Sequence, residues 1–139
     1  MKKVFVMATV VFILLLTSCN KNDDDNSQDP LIGVWNYKSV SYINDTGETV
    51  NVNYDDCEKK STYEFTADGK FKDTYYVSVE NECLKDGEDP GTWKKSADKV
   101  YEIKSADVSF SGEIKFSGNT ITINFDDDGE PYIAVFEKK

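Results

Sequence analysis

Thr62-Tyr63-Glu64-Phe65-Thr66-Ala67-Asp68-Gly69-Lys70-Phe71-Lys72-Asp73-Thr74 reads as two strands folded about one turn. Ala67-Asp68-Gly69 suits a three-residue hairpin loop, with Gly69 in the left-handed conformation that side chains resist. Pairing Thr66 with Lys70 sets Phe65 opposite Phe71 on one face. On the other face it sets Glu64 opposite Lys72 and Thr62 opposite Thr74, both favourable cross-strand pairs. Phe65 and Phe71 then face the core.

The same alternation continues on both sides of this hairpin. From Leu31 onward, apolar and polar residues alternate in short pieces separated by Gly, Asp, Asn and Ser clusters. Strands are expected over 34–42, 49–54, 60–66, 70–79, 91–95, 99–104, 108–116, 120–125 and 132–138, and no helical stripe competes with them. Gly118-Asn119 is a second turn signal. Pairing Ser117 with Thr120 aligns Phe116 with Ile121 and Ile114 with Ile123, leaving Lys115 and Thr122 on the opposite face. Many short, evenly spaced strands imply an all-β sandwich or barrel.

Composition narrows the function. The 139 residues carry 26 acidic and 16 basic side chains, no histidine and a formal charge of −10. Every basic residue is lysine. Histidine-based catalysis and histidine metal sites are therefore excluded, and a net negative chain repels nucleic acid, whose affinity comes from cationic side chains neutralising phosphates. No cofactor signature is present. The remaining Asp, Glu, Lys, Tyr and Ser side chains show no spacing that singles out a catalytic pair, so the chain is expected not to be an enzyme.

Residues 1–18 read as an address. Met1-Lys2-Lys3 followed by the apolar run Val4 to Leu16 has the form of a secretory signal, and is shorter than the ~20 residues a membrane span needs. The run ends in Leu16-Thr17-Ser18-Cys19, which resembles the lipobox of bacterial lipoproteins. That resemblance implies cleavage before Cys19 and its modification with diacylglycerol and a further, palmitate-like acyl chain, enough lipid for stable anchoring. Residues 19–30 would then be the lipidated cysteine and a disordered acidic tether, because Asn20 to Pro30 contains no apolar side chain. Asp23-Asp24-Asp25 resembles the surface-export signal of Bacteroidetes lipoproteins and also suits a solvated spacer. The expected location is the outer membrane, at the cell surface or on the periplasmic face.

With Cys19 committed to lipid, Cys57 and Cys83 form the single possible disulfide in an oxidising compartment. They flank the first hairpin, where the register brings Cys57 opposite Val79. Asn124, Asp126 and Asp128 place acceptors as a calcium loop does, yet Val135 stands where a bidentate glutamate is required. A hairpin tip between the last two strands is the primary reading there, and a metal site the weaker one. Glu80, Glu82, Asp86, Glu88 and Asp89 read as a solvated acidic loop at one rim, open to cations or partners.

Gly33-Val34-Trp35 and Gly91-Thr92-Trp93, together with Tyr63 to Phe71, the flanking cysteines and the terminal Phe136-Glu137-Lys138-Lys139, resemble the lipocalin-like domains of Bacteroidetes lipoproteins. The likeness spans nearly all of residues 31–139. It implies an antiparallel up-and-down barrel of about eight strands, with Trp35 packed across a closed end. Lipocalins usually set a basic residue, often arginine, against the first tryptophan, and here only Lys138 or Lys139 is placed to substitute. The expected function is capture of a small apolar or amphipathic ligand in the barrel mouth. The candidate lining is Trp35, Tyr63, Phe65, Phe71, Tyr75, Trp93, Tyr101, Phe116, Ile121 and Ile123. The alternative is a filled barrel acting as a protein-interaction or inhibitory module through its acidic loops.

Overall fold

A computed structural model of the chain describes residues 28–139, apart from Asp128 and the side chain of Asp127. The 1–18 leader, Cys19 and the tether up to residue 27 lie outside the described residues, as does Asp128 of the weaker metal reading. The fold is all-β: β1 (Gly33–Ile43), β2 (Thr49–Asn53), β3 (Thr62–Phe65), β4 (Lys70–Val79), β5 (Glu82–Ala97), β6 (Val100–Lys104), β7 (Ser109–Ser117), β8 (Thr120–Asp127) and β9 (Glu130–Lys138), with one 3-10 turn at Glu58–Lys60. Every pairing is antiparallel. Strands β3 to β9 follow in sequence order, and β9 pairs back to β1, which closes the sheet.

Eight strand positions make the barrel, because β2 and β3 share one position. Gly33–Asn36 of β1 pairs with β3, and Ser39–Ile43 on the same edge pairs with β2. The 54–61 segment between them bridges to β4: the Ser78 hydroxyl donates to an Asp55 carboxylate oxygen at 2.7 Å and the Tyr76 N–H donates to Ser61 Oγ at 2.9 Å. The Cys57–Cys83 disulfide ties this segment to β5. Cys83 stands opposite Ser78. The cysteine next to Val79 in the expected register therefore finds its partner one strand further on.

Both hairpins hold the register read from their turns. Phe65 faces Phe71 and Glu64 faces Lys72, with their charges 2.9 Å apart. Phe116 faces Ile121, Ile114 faces Ile123, and Ser117 faces Thr120. The acidic stretch expected as a rim loop is a correction. From Glu82 onward it is the upper half of the 16-residue β5, paired with β4 from Val79 to Lys70. Its inward positions are Leu84, Gly87, Asp89 and Gly91, opposite Val77, Tyr75, Asp73 and Phe71. A strand whose interior face carries glycine and aspartate shows no apolar alternation, so backbone pairing rather than side-chain pattern makes it. Only Thr92 onward pairs with β6, so the β4–β5 hairpin stands above the closed wall.

Alternate turns of an up-and-down barrel lie at opposite ends. The β3–β4, β5–β6 and β7–β8 turns, with both termini of the domain, form the base. Here Leu31 is fully buried, the Trp35 indole N–H donates to its carbonyl at 2.8 Å, and Lys138 Nζ sits 5.0 Å above the Trp35 ring. Lys138 thus takes the place of the expected basic residue. Asp29 fastens the incoming chain: it accepts from the Leu31 N–H and the Tyr101 hydroxyl and pairs with Lys95.

Candidate functional site

The interior divides into a packed lower part and an open upper part. All ten expected lining residues lie on the inward face. Trp35, Tyr63, Phe65, Phe71, Trp93, Tyr101, Ile121 and Ile123 are buried in one cluster, with Phe116 packed against it. Their rings touch in series. Phe65 lies 5.2 Å from Phe71 and 5.9 Å from Trp93, and Trp93 lies 6.1 Å from Tyr101. These side chains fill the lower barrel with one another, as the interior of an eight-stranded barrel permits. Tyr75, half-buried, is the member of the ten that reaches the upper part.

There the floor is polar. Asp73 points inward from β4 at 1% exposure. Its carboxylate accepts from the Tyr37 hydroxyl at 2.8 and 3.0 Å and also from Tyr75. Burial pushes Asp73 up to about 7, against the opposing pull of the two phenol hydroxyls, and the charge of Asp89 adds to the rise. No lysine forms an ion pair with Asp73 among the described residues. Burial likewise raises Tyr37, Tyr63 and Tyr75 above the ordinary phenol range and sets Tyr54 at about 12. The phenols are therefore neutral donors at physiological pH. Tyr37 packs 5.4 Å from Tyr54, 5.5 Å from Tyr63 and 5.2 Å from Phe136, so the floor is an aromatic layer around one carboxylate.

The walls above the floor are apolar. A one-residue bulge at Lys38 shifts β1 so that Val40 and Tyr42, rather than Ser39 and Ser41, share the interior face with Ala134 and Tyr132. Val52 pairs with Val40 and Val50 with Tyr42, which continues that face onto β2. Across the mouth, Val77 pairs with Leu84 and the face ends at Val79. Six large hydrophobics are notably exposed: Tyr42, Ile43, Val52, Val79, Leu84 and Ile133. All six lie at the mouth end, and Tyr42, Val52, Val79 and Leu84 are on the inward face. A further recess of about 200 Å³ lies at this rim mainly on the outer face of β1, β8 and β9, lined by Ser41, Asn124, Pro131 and Ile133 beside Tyr42 and Tyr132.

The mouth also has a side opening. Because β5 has no β6 partner above Thr92, the β6–β7 loop leans on it instead, with the N–H groups of Ala106 and Asp107 donating to Asp89 at 3.3 and 2.9 Å. The Ser105 hydroxyl and these N–H groups hold Asp89 below its usual range, so it stays ionised. Beside this contact lies a recess of about 480 Å³ lined by Tyr75, Asp86, Gly87, Glu88 and Asp107.

A filled base beneath a flared mouth is an architecture to compare with known barrels. Residues 31–123 match the lipocalin-like domain family. The chain belongs to that family. Among solved structures, a de novo designed fluorescence-activating β-barrel is 16% identical at a TM-score of 0.40, covering 78% of this chain and 93% of that one. No curated protein matches the chain. A lipocalin-like barrel is compatible with ligand binding.

The mouth residues Val52, Val79 and Leu84 escaped the sequence reading because exposure and facing direction depend on where the wall stops. The one signal available was the apolar ends of the two strands, beyond the point where their neighbours stop. Of the weaker metal candidates, Asn124 is exposed on β8, and Asp126 caps the β8–β9 turn by accepting from the Gly129 N–H at 2.8 Å. No group of three or more His, Cys, Asp or Glu side chains is arranged to hold a metal ion among the described residues.

Proposed function

We propose that this lipocalin-like domain is the ligand-binding part of an outer-membrane lipoprotein. It takes a small amphipathic molecule at its mouth and carries out no catalysis. One observation carries the reading: four of the six most exposed large hydrophobics face inward at one end of the barrel. Exposed apolar surface gathered in a concavity above a few convergent polar groups is the usual form of a small-molecule site. The Leu16-Thr17-Ser18-Cys19 motif supports the anchor, since a lipidated Cys19 would hold the domain at the membrane through residues 20–28.

The neutral probe N-phenyl-1-naphthylamine tests the mouth. Saturable, blue-shifted fluorescence is expected with the parent protein and is lost in a Val52→Asp/Leu84→Asp variant of unchanged circular dichroism. Absence of saturable binding by the parent overturns the reading. Cys19→Ser should move the protein from the membrane to the soluble fraction, and an unchanged distribution would refute the anchor.

The second reading, a filled barrel serving as an interaction or inhibitory module, is favoured by the burial of eight of the ten interior candidates against one another. It expects no probe binding, and a crosslinked partner on cells that disappears when Asp45, Glu48, Asp55 and Asp56 are neutralised.

A further inference from the structure

The mouth has an electrostatic character that its apolar walls do not require. Asp73 is a buried carboxylate held by phenol hydroxyls, with Asp89 beside it on the neighbouring strand. The recess that reaches Tyr75 is lined by Asp86, Glu88 and Asp107, of which Glu88 is paired with Lys85 at 2.6 Å. The mouth-end connections 44–48 and 80–81 add Asp45, Glu48 and Glu80, with no lysine among them. Low-dielectric walls around charge of one sign focus its field on whatever enters. Lys85, the lysine beside this recess, is already committed to Glu88, so an anionic head there would meet net repulsion, while a neutral head would leave the carboxylate without a counter-charge.

We infer that the mouth selects a cationic amphipath, an ammonium-bearing molecule whose head lies on the Tyr75 side of the floor within reach of Asp73 and whose tail lies on the Val52, Val79 and Leu84 walls. The inference rests on the mouth reading above and adds the chemical class of the ligand. Two effects favour the cation. Phenol faces attract it through their quadrupoles, and the carboxylate behind them attracts it through a medium less screening than water. The groups facing Asp73 are Tyr37 from β1, Tyr54 from the 54–61 segment, Tyr63 from β3, Tyr75 from its own strand and Asp89 from β5. None of these supplies a positive charge. With Asp73 titrating near 7, the preference for a cation strengthens as the pH rises through neutrality.

Competition of dodecylamine, dodecanol and dodecanoate against N-phenyl-1-naphthylamine, on the full chain below micelle-forming concentrations, tests the inference. At pH 8 the amine is expected to displace the probe at about tenfold lower concentration than the alcohol, and the carboxylate least well. Asp73→Asn should bring the amine to the level of the alcohol, and Tyr75→Phe should weaken the amine more than the alcohol. At pH 6 the advantage of the parent protein should shrink. If the probe binds but dodecanoate competes as well as the amine, or if Asp73→Asn leaves the amine's advantage intact, the cation preference is refuted and the mouth site stands. If the probe never binds, the mouth site falls and the preference with it.

Discussion

Asp73 keeps its proton to about pH 7 in the folded chain, whereas an unfolded aspartate gives it up near 3.9. The folded state therefore holds more protons between those values. The stabilising contribution of the neutral acid is complete below about pH 4 and is lost as the pH rises through 7. Fully ionised, the group costs folding on the order of 4 kcal/mol. Asp73→Asn should accordingly raise the unfolding midpoint at pH 8, with the gain over the parent vanishing near pH 4. Denaturant melts across that range check the sign, and a variant less stable than the parent at pH 8 contradicts it. Gly91 is constrained by space. A Cβ there would stand 2.1 Å from the Lys104 carbonyl oxygen, so Gly91→Ala should destabilise by roughly 3 kcal/mol or more, read by the same melts.

The β4–β5 hairpin is where the fold departs from a plain barrel. Its upper half has partners on one side only, and the Cys57–Cys83 bridge joins it to the 54–61 segment that fills the gap beside β2. Closing a loop across a sequence separation of 26 should contribute about 3.5 kcal/mol by restricting the unfolded chain. A Cys57→Ser/Cys83→Ser variant should lose about that much in urea denaturation. Its added hydrogen exchange should concentrate in 54–61 and 75–88 rather than in β6 to β8, and uniform exchange would argue against a local clasp. This region also marks the limit of pattern reading. The β3–β4 register was legible to the residue because Gly69 names the turn and the turn determines the pairing. Residues 82–90 were not, because Gly87, Asp89 and Gly91 occupy the inward positions where alternation would have shown a strand.

Closure determines the behaviour of the whole domain. β9 pairs with β8 along its whole length and with β1 from Tyr42 to Trp35, so the last strand joins the two borders of the sheet. Deleting residues 134–139 should leave the remaining strands without a shared core and abolish the cooperative thermal transition; a sharp melt would show that closure is dispensable. Ala134 and Phe136 would be lost from the interior, and Lys138 from the face of Trp35. Most strand positions, both hairpin registers and the cysteine pair could be inferred from the chain alone, because each follows from nearest-neighbour chemistry: alternation, turn geometry, or the lack of any other partner; the resemblance to lipocalins narrowed the lysine on Trp35 to Lys138 or Lys139. Which inward residues pack and which meet solvent followed only from the closed shape. Trp35 and Leu84 present the same kind of side chain to the same face of the sheet, yet one lies beneath a sealed base and the other above the last β5–β6 pair. Exposure depends on how far each neighbouring strand extends, which no local pattern encodes.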